Sequence, residues 1–214
     1  PWMTEGLWEP QHEGRPDWAL PPIDKVSWGP SGMVYNYGVT ALPDRYAGHF
    51  WVCNFGGAKG DLETFAVEPS GAGFALKDRH VFMVGLGNTD VEFGPDGRMY
   101  LSCFNNTGWY KEDTGNVYTL FHPEAAASEA VRATHALLTG DLEAKPAAEL
   151  DALLAHADLR VRQRAQFALV KAGDAARLTA ASRSADHQLK RLHGIWGLGM
   201  LAKKDETHLD PLIG

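Results

Sequence analysis

The stretch that decides the fold is Thr89-Asp-Val-Glu-Phe-Gly-Pro-Asp-Gly-Arg-Met-Tyr-Leu-Ser-Cys-Phe104, which has the pattern of two short strands joined by a tight turn. Val91 and Phe93 alternate with acidic residues, and this is the period of a half-buried strand. Pro95 has its φ preset for the second turn position, and Gly97 supplies the positive φ that the exit from the turn needs. The sequence therefore predicts a β-hairpin.

The same pattern occurs once earlier in the chain. Gly48-His-Phe-Trp-Val-Cys-Asn-Phe55 aligns with Gly97-Arg-Met-Tyr-Leu-Ser-Cys-Phe104 at an offset of 49 residues, and a strand marked by glycine or proline precedes each copy. A period near 50 residues made of strands alone is typical of β-propeller blades, whose faces are covered by neighbouring blades. Because two copies cannot close a ring, we expect the last blades of a larger propeller.

The turn signals divide these copies into seven predicted strands. The first blade has four strands, and the second has three and lacks its outer strand. The predicted strands are residues 32–37, 49–55, 62–68 and 74–83 in the first blade, and residues 89–93, 98–104 and 116–121 in the second. Cys53 and Cys103 fall on equivalent strands, where two buried free thiols are expected and a disulfide is the alternative.

The hydrophobic period becomes helical from Pro123 onward. Val161, Ala165 and Leu169 form one apolar stripe, and Asp158 is the predicted N-cap of their helix. Pairs of helices repeated in this way are typical of an α-solenoid. Glycines 194, 197 and 199 in the last long helix predict close packing around Trp196, whereas arginines 160, 162 and 164 are expected on a solvated face, with Arg162 pairing between repeats.

The sequence therefore predicts two domains. Residues 1–122 form the propeller portion, with an aromatic loop over residues 1–28, and residues 123–214 form HEAT-like helical repeats. The formal net charge of −7, without a long basic cluster, argues against a nucleic-acid partner. Nine histidines without metal-ligand spacing make a metal site built from this segment alone improbable.

Taken together, five motifs resemble those of the bacterial membrane-bound-dehydrogenase-like proteins. In that family a propeller related to sorbosone and soluble glucose dehydrogenases precedes HEAT repeats and often a haem c domain. The resemblance covers nearly the whole chain. The motifs are Leu20-Pro-Pro-Ile23, Gly29-Pro-Ser-Gly32, Leu42-Pro-Asp-Arg-Tyr-Ala-Gly-His-Phe50, Thr89-Asp-Val-Glu-Phe-Gly-Pro-Asp-Gly97 and Arg191-Leu-His-Gly-Ile-Trp-Gly-Leu198.

The resemblance implies a portion of a periplasmic or otherwise extracytoplasmic enzyme, with membrane association left open. Its six-bladed propeller would hold pyrroloquinoline quinone (PQQ) and calcium and oxidise a sugar or alcohol. Electrons would pass to a cytochrome domain whose haem c lies on a part of the protein not in this chain, and the remainder of the propeller would be the other partner. The family's catalytic base is not in this chain, so no catalytic residue is assigned.

Two groups of candidate site residues follow from these patterns. Cofactor-binding residues are expected at the starts of the innermost strands, with Asp90 as the calcium ligand; the alternative is that Thr89 and Asp90 cap backbone groups. Substrate-binding residues are expected on or beside the loops, where packing between blades is the alternative. The cofactor residues are Ser31, Asn88, Thr89 and Asp90; the substrate residues are Asn54, Asn105, Asn106, Trp109 and Tyr110.

The chain departs from the characterised sugar dehydrogenases at one position. Those enzymes have an arginine that contacts the quinone just before the Asp-Val pair, and this chain has Asn88 and Thr89 there. The departure favours the alternative function, a non-catalytic propeller and HEAT scaffold that binds glycans or proteins. The haem domain of the resembling family favours the enzyme.

Overall fold

A computed structural model describes residues 23–24, 26–57, 59–104 and 115–213. Within these ranges, seven strands precede seven α-helices. The strands are β1 (Pro30–Tyr35), β2 (Phe50–Asn54), β3 (Asp61–Ser70), β4 (Gly73–Val84), β5 (Asn88–Phe93), β6 (Met99–Phe104) and β7 (Gly115–Leu120). The helices are α1 (Pro123–Ala126), α2 (Glu129–Thr139), α3 (Ala147–Leu153), α4 (Leu159–Lys171), α5 (Ala175–Ser182), α6 (Gln188–Ala202) and α7 (Asp210–Ile213). In the described part of the chain no helix has the length and apolarity of a membrane span.

The predicted fold class, propeller blades followed by an α-solenoid of HEAT-like repeats, is wrong. The strands form two small antiparallel sheets, a four-stranded one in the order β1-β2-β3-β4 and a three-stranded one in the order β5-β6-β7, and the described ranges contain no closed barrel or propeller. The physical reason is that alternating strands with Gly- and Pro-marked turns specify an antiparallel meander. The local pattern of a meander is the same whether the sheet stands in a ring or alone.

The chain divides into two compact units that interleave along the sequence. The first comprises Pro1–Tyr35, Gly48–Glu92 and Leu101–Tyr118, and the second comprises Asn36–Ala47, Phe93–Tyr100 and Thr119–Gly214. The predicted boundary between residues 122 and 123 lies just before α1, which begins at Pro123. The second unit also includes Asn36–Ala47, Phe93–Tyr100 and residues 119–122, which all precede that boundary in the sequence.

The predicted hairpin at residues 89–104 is confirmed as strands β5 and β6. Its turn is closed by a hydrogen bond from the Gly94 amide to the Arg98 carbonyl, with 2.9 Å between the two atoms. Gly97 has a φ of 74°, the left-handed value that the turn requires. Along β6, Met99, Leu101 and Cys103 are buried and alternate with partly exposed residues, as the sequence period predicts.

The core of the first unit is built on β2 and β3. Trp51 and Leu62 are completely buried there. Phe50 stacks on Phe65 with ring centroids 5.3 Å apart. Cys53 and Cys103 are free and buried, which confirms the predicted thiols; burial raises the pKa of the Cys53 thiol to about 12.

Helices α2, α4, α5 and α6 of the second unit begin at a residue whose side chain caps the first turn. The Asp158 carboxylate accepts a hydrogen bond from the Arg160 amide at the start of α4, as predicted, and Asp174 caps α5 in the same way. The apolar faces of α3, α4, α5 and α6 then share one core. Its completely or almost completely buried side chains are Leu142, Leu154, Val161, Ala165, Leu169, Leu178, Ala181 and Leu198.

The predicted solvated arginine face on α4 is wrong, because all three arginines are held by protein groups; Arg164 pairs with Glu143 and donates to the Leu138 carbonyl at 2.7 Å. Arg162 is 6% exposed and donates hydrogen bonds to the carbonyl oxygens of His156 and Ala157, with N–O distances of 2.6 and 2.7 Å. The side chain of Arg160 is 19% exposed and is held by protein groups. Carbonyls of the loop before α4 accept the hydrogen bonds of Arg162, whereas the Asp158 carboxylate and the carbonyls of Phe93 and Gly94 accept those of Arg160. A helical period does not show where such acceptors lie.

A buried polar network joins α4 to α6. Arg162 Nε donates to His193 Nε2 at 3.2 Å, and His193 Nδ1 lies 2.7 Å from the Gln166 side-chain oxygen. The accepting role of Nε2 requires a neutral imidazole, with its proton on Nδ1. Burial, together with the Arg162 charge, lowers the pKa of His193 to about 4.

This network predicts an acid-sensitive stability. An unfolded histidine takes up a proton near pH 6.5, whereas folded His193 resists it down to about pH 4, so stability falls as the pH is lowered through this interval. Between pH 7 and 5 we expect a loss of about 2 kcal/mol in the free energy of unfolding. Urea unfolding at both pH values measures it, and a His193→Gln variant with the same pH dependence as the wild type would contradict the assignment.

Candidate functional site

An open groove lies in the first unit, where the starts of β1, β5 and β7 meet the ends of β2 and β6. Its volume is about 730 Å³, which falls within the usual size of ligand pockets. We call this feature the groove. Its lining residues are Ser31, Phe55, Thr89, Ser102, Cys103, Phe104, Gly115, Asn116 and Val117.

Among the residues that the structure describes, the lining of the groove carries no charge. Three hydroxyl side chains and one amide stand among apolar groups, and the described lining includes neither an acidic nor a basic residue. Phe55 and Phe104 both line the groove, with their ring centroids 6.4 Å apart and their planes inclined by 50°. The groove therefore offers aromatic surface with a few neutral hydrogen-bonding groups.

Hydrogen bonds from the lining residues fix the walls of the groove. Ser31 Oγ lies 3.0 Å from the backbone oxygen of Asn88, which ties the start of β1 to the start of β5. The Thr89 and Ser102 hydroxyl oxygens are 2.9 Å apart and join β5 to β6. A Cβ on Gly32 would lie 2.3 Å from the Asp90 carboxylate, so glycine at this position permits the close approach of β1 to β5.

The four predicted cofactor residues come together, but only two of them line the groove. Ser31 and Thr89 are lining residues, whereas Asn88 is completely buried behind them. Asp90 is exposed, and its carboxylate accepts a hydrogen bond from the Val91 amide at 2.9 Å. That contact is the backbone cap which the sequence offered as the alternative to a calcium ligand.

The described residues do not fit PQQ or calcium. PQQ carries several carboxylates, and the described lining residues include no lysine or arginine to balance them. Calcium takes about six to eight oxygen ligands with carboxylates among them. In the ranges that the structure covers, no three His, Cys, Asp or Glu residues are placed to hold a metal ion, and Asp90 alone is not sufficient.

The predicted substrate residues divide into two sets. Asn105, Asn106, Trp109 and Tyr110 lie outside the described residues. Asn54 is completely buried, and its amide nitrogen donates to the Asp61 carboxylate at 2.7 Å. Its side-chain oxygen accepts from the Gly29 amide at 3.3 Å and from the Ser27 hydroxyl. These contacts use the polar atoms of Asn54 within the protein.

Sequence reasoning missed the two phenyl rings of the groove. Phe55 and Phe104 are the last residues of the two aligned segments, separated by the same 49 positions as the rest of the repeat. Equivalent positions at the ends of the two aligned strands indicate that the two rings belong to one region, and this signal is present in the 49-residue repeat. Ser102 and Cys103 carry no comparable signal, because their exposure to the groove depends on which strand lies beside β6.

A second polar cluster in the first unit resembles a catalytic triad only in composition. His49 Nδ1 lies 3.0 Å from the Thr64 hydroxyl, and its Nε2 lies 3.5 Å from the Asp78 carboxylate. Thr64 is completely buried and donates its own proton to the Phe50 carbonyl at 2.9 Å. A buried hydroxyl that serves as a backbone donor cannot attack a substrate, so this cluster is structural.

Comparison with protein-family models, curated proteins and solved structures gives no match for this chain. The resemblance to the dehydrogenase-like proteins therefore stays a prediction. Function has to be argued from the chemistry of the groove itself.

Proposed function

We propose that this chain carries a non-catalytic binding module, and that its groove holds an uncharged sugar. The observation that supports this most directly is the neutral lining, in which hydroxyl and amide groups accompany two phenyl rings. Neutral ligands with many hydroxyl groups match such a surface, because no charge on the protein is left without a partner.

The two faces of a sugar fit the two kinds of surface in the groove. The C–H groups on one face of a pyranose ring are apolar and pack against aromatic rings, here those of Phe55 and Phe104. The hydroxyl groups at the ring edge can exchange hydrogen bonds with Thr89, Ser102 and Asn116. An acidic sugar would bring a charge for which the described lining has no counterpart, so a neutral sugar is the better fit.

The described lining lacks the groups that catalysis would need. Cys103 is the one lining side chain of a nucleophilic type other than hydroxyls, and burial raises the pKa of its thiol, which keeps it protonated at neutral pH. Among the lining residues that the structure describes there is no histidine, carboxylate or lysine to act as a general base. These features favour binding over chemistry in the groove.

Dehydrogenase activity remains a prediction from the resemblance alone. It has a direct test, sugar-dependent reduction of a dye in the presence of added PQQ and calcium. Reduction above that of the protein-free control would make the groove part of an enzyme. We expect no reduction, together with measurable sugar binding.

Phe104 provides the matched test of the proposed binding. Phe104→Ala should weaken binding of a neutral disaccharide such as cellobiose about five- to tenfold, because one stacking ring is lost. Phe74→Ala on β4 is the control, since Phe74 is 55% exposed and lies outside the lining set. Isothermal titration and NMR line shifts measure affinity, and thermal unfolding checks that both variants remain folded.

Two results would overturn this proposal. Wild-type protein that binds none of glucose, cellobiose and maltose at millimolar concentration lacks the neutral-sugar site. Equal affinities of the Phe104 and Phe74 variants would place any binding outside the groove.

A further inference from the structure

One side chain next to the groove has an unmet hydrogen-bonding need. Asn88 is 0% exposed, and its amide nitrogen Nδ2 is buried without an acceptor among the described residues. Its side-chain oxygen does have a partner, the Cys103 thiol at 3.7 Å. A buried amide donor without a partner is unfavourable for the folded protein, and such a group calls for an explanation.

The position of Asn88 connects this donor to the groove. Two residues of the lining contact it: Ser31 Oγ lies 3.0 Å from its backbone oxygen, and the Cys103 thiol donates to its side-chain oxygen. Asn88 thus stands directly behind the lining, between β1 and β6. A thiol is a weak hydrogen-bond donor, and its distance of 3.7 Å from the Asn88 oxygen is long. Of the two contacts between Asn88 and the lining, the one with Cys103 is therefore the more easily broken.

We propose that Asn88 Nδ2 is the polar anchor of the groove and donates a hydrogen bond to a hydroxyl oxygen of the bound sugar, directly or through one water. This inference rests on the proposed sugar-binding function and adds a subsite at the groove floor. A hydroxyl oxygen suits this position because it accepts a hydrogen bond without bringing a charge into a buried environment. Asn88 Nδ2, which is unpaired in the free protein, then gains an acceptor when the sugar binds. Ligands that place no oxygen next to Nδ2 leave it unpaired and should bind more weakly.

Asn88→Leu tests the anchor because leucine has nearly the shape of asparagine and no donor. In the free protein this change should leave the melting temperature unchanged or raise it by a few degrees, since it removes an unsatisfied buried group. The affinity for cellobiose should fall at least tenfold. A structural role would show the reverse pattern, with a lowered melting temperature.

Asn36→Leu is the matched control, since Asn36 is a buried asparagine whose hydrogen bonds are made. Its Nδ2 donates to the Tyr46 carbonyl at 2.9 Å and to the Thr40 hydroxyl at 3.2 Å, and its oxygen accepts from the Gly38 amide at 3.0 Å. Asn36→Leu should lower the melting temperature by roughly 5 °C or more, because these partners lose their hydrogen bonds. The contrast between the two variants isolates the effect of the unsatisfied donor.

Side-chain amide NMR supplies a readout on the wild-type protein. The Asn88 amide signals, identified by their loss in Asn88→Leu, should shift downfield when cellobiose is added. If the wild type binds the sugar but Asn88→Leu binds it equally well, the anchor is wrong and the binding function stands. If the wild type binds no sugar, the function fails and the anchor fails with it. A melting temperature of Asn88→Leu that falls as far as that of Asn36→Leu also overturns the anchor.

Discussion

Replacing Arg160 with alanine should lower the free energy of unfolding by about 3 kcal/mol, because a buried carboxylate loses its cationic partner. The guanidinium binds both oxygens of the Asp158 carboxylate at 2.9–3.0 Å, and this carboxylate is completely inaccessible to solvent. The Nη1 atom of Arg160 donates to the carbonyl oxygens of Phe93 and Gly94, each at 2.9 Å. The guanidinium carbon of Arg160 also lies 4.9 Å from the ring centre of Tyr37. Within the second unit, Arg160 therefore connects the start of α4 to the end of β5.

Arg132→Ala is the control for this prediction. Arg132 also pairs with a carboxylate, that of Glu129 at 2.9 Å, but its side chain is 63% exposed. Exposed pairs of this kind contribute little, so a loss below about 0.5 kcal/mol is expected. Arg160→Lys should recover part of the stability, since an ammonium keeps the charge but cannot form the two-pronged contact. If urea unfolding shows similar losses of stability for Arg160→Ala and Arg132→Ala, the stabilising role assigned to Arg160 is wrong.

The importance of Arg160 could not be predicted from its helix. On a helical period Arg160 and Arg164 fall on the same side of α4, yet Arg160 contacts carbonyl oxygens that are more than sixty positions earlier in the chain. Such contacts depend on which strand ends beside the helix, and no local pattern specifies that. Asp158 was predictable, since an acidic residue before an apolar stripe is a capping signal, and the structure confirms it as the N-cap.

The strands also show that a local sequence pattern predicts an element but not its neighbours. The hairpin at residues 89–104 was predictable in detail, because alternation and a Pro-Asp-Gly turn act over neighbouring residues. The assembly of the hairpin was not predictable: the similar local pattern in the earlier copy predicts neighbouring propeller blades, whereas the strands form two small sheets. Ser31 and Thr89 were both expected at the starts of the innermost strands as parts of one site, and both line the groove. The buried donor of Asn88 could not be foreseen, since finding it requires knowing every acceptor around it.

The packing around α6 was foreseen in part. Three glycines in one helix predicted a close approach of another helix, and Gly194 and Gly197 do face α5. Trp196 was expected at the centre of this contact, but its side chain is 50% exposed. One residue along a helix turns the side chain by about 100°, so the neighbour of two buried glycines can point to solvent.

Gly194→Ala should lower the free energy of unfolding by about 3 kcal/mol, because the new methyl group has no space. A Cβ at this position would lie 2.3 Å from the Ser182 amide nitrogen and 2.8 Å from both the Ala181 carbonyl carbon and the Leu178 oxygen. All three are backbone atoms of α5, so the two helices would have to separate. This cost exceeds the gain of up to about 1 kcal/mol that alanine brings to a helix interior.

Gly199→Ala, on the same helix, should raise the free energy of unfolding instead of lowering it. A Cβ there meets no atom within 4 Å, so only the propensity gain remains and stability should rise by up to about 1 kcal/mol. Gly197→Ala should fall between the two, because its nearest neighbour is the Leu178 side chain, which can move more easily than backbone. Urea unfolding of the three variants measures the series. Since helix propensity alone would stabilise all three variants alike, a Gly194→Ala protein as stable as Gly199→Ala would show that α5 and α6 are not in backbone contact.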